Sequence, residues 1–208
     1  AACVTVSPHY KRLKGCWDID LGVRLAKVFR AKDMSAMYQN RIQSIYPDVK
    51  IGFRGVPSAY LYLDFSNYYK DAGLDGYANW YMIQAQEERD HALLFMKYMQ
   101  NNGYKVTLEA IAKPDKAFTS HLDVLRAGLE HEEYVTSLIN DIYAAAYEVK
   151  DFRTMQFLDW FVKEQGEEET NANVLITKME LFGSDPKSLY MLNQELAARI
   201  YNAPSLVL

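Results

Sequence analysis

The 208-residue sequence contains only two cysteines, Cys3 and Cys16, both near its beginning. Two such cysteines cannot build the disulfide framework that holds many small secreted domains together. No apolar run is long enough to cross a bilayer, so we expect no membrane partner. The first residues also lack the charged, then apolar, then small-residue order of a secretory signal. These absences make the cytoplasm the expected location.

A basic excess is missing as well, because 23 Lys and Arg stand against 27 Asp and Glu and give a formal net charge of −4. Binding nucleic acid requires positive charge to meet the phosphates, so nucleic acid is not expected as a partner. Prolines and glycines are few, six and ten. Long periodic stretches lie between them, which favours a mostly helical chain.

Four long stretches and one short stretch show the period of amphipathic helices. They cover residues 58–73, 75–102, 117–149, 151–182 and 188–201. The third and fourth stretches are joined almost without a loop, so they must be antiparallel neighbours. The linker 103–116 reaches roughly 46 Å when extended, enough to return along the helix of about 42 Å before it. The sequence therefore predicts an all-α fold, a four-helix bundle with one long crossover and a short fifth helix.

Three of these helices carry polar residues at positions where the period predicts core. They are Glu88 with His91, then Glu132, and then Gln165 with Glu168. Burying three carboxylates without a counter-charge is strongly unfavourable, and a bound cation would resolve this. Carboxylate and imidazole ligands suit iron, manganese or zinc, and Glu-x-x-His is a known element of two-metal carboxylate sites.

Each of these features also has a simpler interpretation. A Glu-x-x-His pair is commonly a surface pair, and the acidic clusters LEHEEY and GEEE are commonly solvated faces. Tyr62, on the inward stripe of the first helix, is the kind of residue that ordinarily packs in a core. The coincidence of three helices, each with inward polar groups at mid-length, favours the metal site.

The stretches SAYLYLDFSNYY, QAQEERDHA, LEHEE and WFVKEQGEEE, in this order and spacing, closely resemble bacterial non-haem ferritins from about Ser58 to Asn202. The resemblance implies a ferritin-like bundle that assembles with its own copies into a hollow shell of twenty-four subunits. It also implies that Fe(II) is oxidised by oxygen or peroxide at a di-iron site and that the ferric mineral is stored inside.

The resemblance further assigns roles around the di-iron site. Glu88 would bridge the two irons and His91 would bind the first. Glu132 and Glu168 would bind the second iron, and Gln165 would lie beside the centre. These residues would form the ferroxidase site.

Two more features follow from the same resemblance. Tyr62 would be the nearby tyrosine that hydrogen-bonds a ligand and can supply an electron. A third iron site would be formed by four glutamates, Glu87, Glu164, Glu167 and Glu168.

Related families are disfavoured at two positions. The last bundle helix has Glu164-x-x-Glu167 where bacterioferritins, rubrerythrins and ribonucleotide-reductase-like proteins have a second Glu-x-x-His. This departure also disfavours a di-metal oxygenase or peroxidase that acts on an organic substrate. Arg89 stands where bacterioferritins carry their haem-ligating methionine, so we expect no haem.

The likeness ends abruptly before Ser58. The family carries a glutamate seven residues before the site tyrosine, as a terminal ligand of the first iron, and Gly55 stands there in this sequence. Pro57 suits the first turn of a helix and not its interior. We therefore divide the chain into an N-terminal segment of unknown role, 1–54, and a ferritin-like domain, 55–208.

Three explanations of the N-terminal segment stay open. It is an appended or substituted element with an extra helix over 17–46, or an upstream acid such as Asp33 replaces the lost ligand, or the segment is not native. The sequence thus supports two functions: a ferroxidase that stores iron, or a mineralising shell subunit whose centre is impaired at Gly55. In either case we predict slower Fe(II) oxidation than in an ordinary ferritin, unless another acid fills the gap.

Overall fold

The computed structural model describes residues 2–5, 50–53, 57–103, 106–108 and 110–208. Its helices are α1 (Pro57–Asp71), α2 (Asp75–Asn101), α3 (His121–Val149), α4 (Phe152–Phe182) and α5 (Pro186–Ala197). Among the helices of these ranges, none is long and apolar enough to cross a membrane. The proposed extra helix over 17–46, Asp33 and Gly55 lie outside the described residues.

The described residues also form three short strands, which the sequence analysis did not predict. They are β1 (Ala2–Thr5), β2 (Lys50–Phe53) and β3 (Thr107–Leu108). β1 pairs antiparallel with β2, and β2 pairs parallel with β3, Gly52 facing Thr107. The strands hold ten residues between them, so helices dominate the described fold and the predicted all-α class is confirmed.

The helix ends follow from local capping chemistry. α1 begins at Pro57, where the fixed φ of proline suits a helix and its missing N–H leaves no bond unmade. α3 begins at His121 and not near 117 as predicted, because Ser120 is its N-cap and accepts a hydrogen bond from Asp123 N. A capping side chain satisfies one of the free N–H groups of the first turn, which fixes the starting residue.

The short last helix also differs from the predicted range of 188–201. It starts two residues earlier, at Pro186, because Asp185 caps it and accepts from Ser188 N at 2.8 Å. It ends at Ala197, so residues 198–208 continue beyond it without helical structure.

Two apolar clusters fill the bundle, one on each side of its middle. The first includes Tyr62, Phe65, Tyr69, Tyr77, Ala85, Val124, Leu125 and Leu175. The second includes Val135, Ile139, Ile142, Phe157, Leu158 and Phe161, with Leu94, Phe95 and Tyr98 packed against it. The chain passes from the first cluster to the second along α2 and α3, and in the opposite direction along α4. α2 and α3 are therefore parallel, and the predicted long crossover is confirmed.

The fifth helix is fixed to the beginning of α2. Asn193 Oδ1 accepts hydrogen bonds from Gly76 N at 2.7 Å and from Tyr77 N at 3.3 Å. These are N–H groups of the first turn of α2, which have no partner within their own helix. The Asn193 side chain thereby fixes α5 to α2 and gives two N–H groups of the first turn of α2 a hydrogen-bond acceptor.

Candidate metal centre

A band of polar side chains lies between the two apolar clusters. Its members are Gln84, Glu88, His91, Glu132, Gln165 and Glu168, each between 3% and 8% exposed. On each helix Glu88, His91, Glu132, Gln165 and Glu168 fall, in chain order, between residues of one cluster and residues of the other, and Gln84 lies one turn before Glu88. α2, α3 and α4 therefore bring their inward polar groups to one level of the bundle, as the periodicity predicted.

Glu132 links three helices. Tyr62 on α1 donates its hydroxyl to Glu132 Oε1. Gln165 Nε2 on α4 donates to Glu132 Oε2 at 3.1 Å and to the Glu132 backbone carbonyl at 3.2 Å. Burial raises the pKa of Glu132 well above its ordinary value, and the charges of Glu88 and Glu168 raise it further, against the effect of the two hydrogen bonds. The carboxyl group is therefore held in a place that favours a proton or another cation.

Glu88 and His91 form an ion pair one helical turn apart, with Glu88 Oε1 3.3 Å from His91 Nδ1. Burial alone would lower the pKa of His91, but the carboxylate of Glu88 raises it to about 9. Burial has the opposite effect on Glu88 and raises the pKa of its carboxyl group. The imidazoles of His91 and His131 and a hydrogen bond from Ser58 outweigh this effect and bring the pKa below its ordinary value. Glu88 is thus the carboxylate of the band that is held ionised.

Glu168 is the third buried carboxyl group. Burial and the charge of Glu88 raise its pKa to about 7, while the nearby Gln84 amide and the charges of His91 and Arg199 oppose the rise. With the pKa of Glu132 also raised, the band has more carboxyl groups than cationic partners. Protons balance the difference, and a divalent cation that entered the band would displace them.

The donor set fits the predicted metal chemistry, since buried carboxylate and imidazole ligands suit Fe(II). The side chains are hydrogen-bonded to one another in this structure. Within the described ranges, no three His, Cys, Asp or Glu side chains form a group that could hold a metal ion as they stand. Metal binding would therefore exchange the hydrogen bonds of Glu132 for metal bonds, and the individual ligand roles stay predictions.

Two of the four glutamates assigned to a third iron site pair with basic side chains, and that site stays a prediction. Glu87 Oε2 is 2.6 Å from Arg199 Nη2, and both side chains are 16% exposed. Glu164 is half-buried and close enough to His91 to raise the pKa of that imidazole. Glu167 points to solvent and pairs with Lys163 at 3.2 Å.

Two residues that border the centre were missed at the sequence level. His131 Nε2 lies 2.9 Å from Ser58 Oγ, and the His131 ring packs edge-on against Tyr62 with centroids 5.7 Å apart. Burial lowers the pKa of His131, so its imidazole favours the neutral form. Its position directly before Glu132 was a usable signal, although neighbouring residues on a helix point in different directions.

Comparison with known proteins identifies the family. The profile of the ferritin-like domain matches residues 56–182. The bacterial non-heme ferritin of Staphylococcus haemolyticus (strain JCSC1435) is 34% identical over 145 residues, which are 70% of this chain and 87% of the relative. The bacterial non-heme ferritin of Campylobacter jejuni subsp. jejuni is 34% identical over 137 residues, 66% of this chain and 82% of the relative.

Solved structures agree with this identification. The open pore ferritin of the hyperthermophilic archaeon Archaeoglobus fulgidus matches with a TM-score of 0.69 and 31% identity, over 88% of this chain and 95% of its own. A humanized archaeal ferritin matches with a TM-score of 0.70 and 32% identity, over 87% of this chain and 97% of its own. The predicted resemblance is confirmed, and the chain belongs to the ferritin-like family.

Proposed function

We propose that this protein is an iron-storage ferritin subunit that oxidises Fe(II) in the polar band and passes Fe(III) to a stored mineral. One observation carries the proposal: Glu88, Glu132 and Glu168, from three helices, are buried with His91 at one level between two apolar clusters. Burying three carboxylates so close together is strongly unfavourable in free energy unless cations neutralise them. Iron is the metal to which the family name ferritin refers.

The proposed reaction balances with dioxygen as the oxidant. Two Fe(II) ions each give up one electron, and dioxygen takes both electrons with two protons and becomes hydrogen peroxide. Glu88 would lie between the two ions, His91 would bind the first, and Glu132 and Glu168 the second. Tyr62, whose hydroxyl is bonded to Glu132, would orient this ligand. Peroxide can replace dioxygen as the acceptor and is then reduced to water.

Storage requires an enclosure, and we propose a hollow shell of twenty-four subunits. Apolar side chains stand exposed near the end of the chain, with Tyr190 and Met191 each 63% exposed and Ile200 73% exposed. Exposed apolar groups of this kind are typical of surfaces that other subunits cover. A cytoplasmic location stays a prediction from the sequence.

A pair of adjacent glutamates on α3 offers a matched test. Glu132 is buried and Glu133 is exposed, so Glu132→Gln removes a carboxyl group from the band while Glu133→Gln removes one from the surface. Stopped-flow oxidation of Fe(II) should slow by about tenfold or more in Glu132→Gln, the order of loss seen when metal affinity is disrupted. Glu133→Gln should match the wild type. Equal rates in all three proteins would contradict the proposal.

A second function is favoured by one observation on the sequence, that Gly55 stands where the family carries a glutamate ligand of the first iron. Glycine has no side chain that could bind a metal. The first iron would then have only Glu88 and His91 as ligands, and the protein would be a mineralising shell subunit with an impaired centre. Anaerobic Fe(II) titration separates the two cases, because a complete centre holds two tight ions per subunit and an impaired centre holds one or none.

A further inference from the structure

Residues 198–208, here called the C-terminal strap, run along the outside of the bundle past the polar band. The strap starts beside the first apolar cluster, where Asn79 Nδ2 donates to the carbonyls of Leu196 and Arg199 at 3.4 and 3.1 Å. It finishes at the second cluster, against which Leu206 and Leu208 pack. Between these points Arg199 turns inward, at the level of the metal centre.

The Arg199 side chain is held from several directions. Its Nη1 donates to Gln84 Oε1 at 3.0 Å and to the Trp80 carbonyl at 3.2 Å. Its guanidinium lies over the Trp80 ring, with Cζ 4.0 Å from the centroid. Its Nη2 donates to Glu87 Oε2 at 2.6 Å. A planar guanidinium engaged on its face and its edge is fixed in position far better than a lysine would be.

This fixed positive charge lies among acids that border the metal centre. Glu87 precedes Glu88 in the sequence and is close enough to Glu164 for the charge of that carboxylate to affect it. Arg199 is also close enough to Glu168 to favour its ionised form. The guanidinium therefore places a positive charge directly on Glu87, and it uses an oxygen of Glu87 that an ion bound there would need.

We propose that Arg199 is a built-in counter-cation, which limits the centre to two metal ions by excluding a third from Glu87, Glu164 and Glu168. The inference rests on the proposed function, because it takes the two-ion centre as given. A divalent ion and a guanidinium cannot share the same carboxylate oxygens without strong repulsion, and both would lie in a partly buried place where screening is weak. Arg199 thus sets the number of ions that the centre binds, without contacting the reacting ions.

Two substitutions separate the charge of Arg199 from its bulk. Arg199→Gln keeps a polar side chain but removes the positive charge, so Glu87 becomes free to bind an ion. Arg199→Lys retains the charge and should keep the third ion out. Arg126→Gln is the matched control, because Arg126 pairs with Glu180 at 2.8 Å on the surface.

The test is a calorimetric titration of the assembled full-length protein with Zn²⁺, which binds without redox change. We expect two ions per subunit in the wild type, Arg199→Lys and Arg126→Gln, and three in Arg199→Gln. The affinity for the third ion should rise by about tenfold or more when the competing charge is lost. Adding Glu87→Gln to Arg199→Gln should return the count to two, because it removes the ligand that had been freed.

Several outcomes would overturn the inference. If Arg199→Gln binds only two Zn²⁺ ions per subunit, the guanidinium does not exclude a third ion. If the wild type already binds three, the guanidinium again does not exclude the third ion, and the proposed function is unaffected. A wild type without the two tight ions overturns the proposed function and the inference with it. Should Arg199→Gln fail to assemble, Arg199→Met takes its place, because it removes the charge but keeps a long side chain over the Trp80 ring. That variant should hold three ions, and a count of two contradicts the inference.

Discussion

At the scale of single residues, the centre is defined by acids whose surroundings push their pKa values apart. Glu88 accepts from Ser58 and faces two imidazoles, and the pKa of its carboxyl group is lowered. Burial raises the pKa values of Glu132 and Glu168, because neither has a full positive partner. Such divergence among neighbouring groups is typical of functional sites, where ordinary surface acids would all stay ionised.

These shifts predict how stability depends on pH when metal is removed with a chelator. The pKa of Glu168 rises from 4.5 to about 7 on folding, and that of His91 rises from 6.5 to about 9. At pH values between the unfolded and the folded pKa of each group, the folded state binds more protons than the unfolded state. The stability of the protein therefore falls as the pH rises through this range. We expect the free energy of unfolding to decrease from pH 5 to pH 9, with about 1–3 kcal/mol of the decrease due to Glu168.

Urea denaturation at several pH values measures this dependence. Glu168→Gln removes one titrating group and should make the decrease between pH 5 and pH 7 less steep, while Glu133→Gln, changed at the surface, should leave the curve as it is. A wild-type protein that becomes more stable over this range would show that Glu168 is ionised in the fold and that the band is not short of positive charge.

At the scale of elements, α5 depends on a close approach that only glycine permits. A Cβ added at Gly76 of α2 would lie 1.7 Å from the backbone oxygen of Asn193, whereas a Cβ at Gly166 of α4 would meet nothing within 4 Å. Gly76→Ala should therefore push α5 away and destabilise the protein by about 1–3 kcal/mol. Gly166→Ala should stabilise it by about 0.5–1 kcal/mol, because alanine is the better helix former.

Denaturation of the two glycine variants side by side measures both effects. The displacement of α5 in Gly76→Ala should also loosen the C-terminal strap, so its Zn²⁺ titration should resemble that of Arg199→Gln more than that of the wild type. Equal stability of the two alanine variants would show that α5 is not seated on α2 as described.

The elements also show what the sequence could predict and what it could not. The end of α2 was predicted within one residue because Asn101, Asn102 and Gly103 stop a helix locally. The start of α3 was predicted four residues too early, because the apolar stripe continues back to Phe118 while the cap at Ser120 decides the boundary. The parallel pairing of β2 with β3 joins residues far apart in the chain, and no local pattern signals it.

At the scale of the whole molecule, the same distinction holds for the site. The inward position of Glu88, His91, Glu132 and Glu168 could be predicted, because helical period and bundle topology together bring mid-length positions to one level. The contact of Arg199 with Glu87 could not be predicted, since it joins residues 112 apart and Arg199 lies in the C-terminal strap, which has no periodic pattern. Glu87, a predicted ligand of the third iron, is therefore paired with a cation that the sequence did not reveal.

The central claim is that buried acids from α2, α3 and α4 converge with His91 to bind iron. An anomalous-scattering map from crystals soaked in Fe(II) tests it most directly. We predict density within bonding distance of Glu88 and extending toward His91 on one side and toward Glu132 and Glu168 on the other. A map that shows iron only on surface carboxylates, with the polar band still closed by its own hydrogen bonds, would contradict the account.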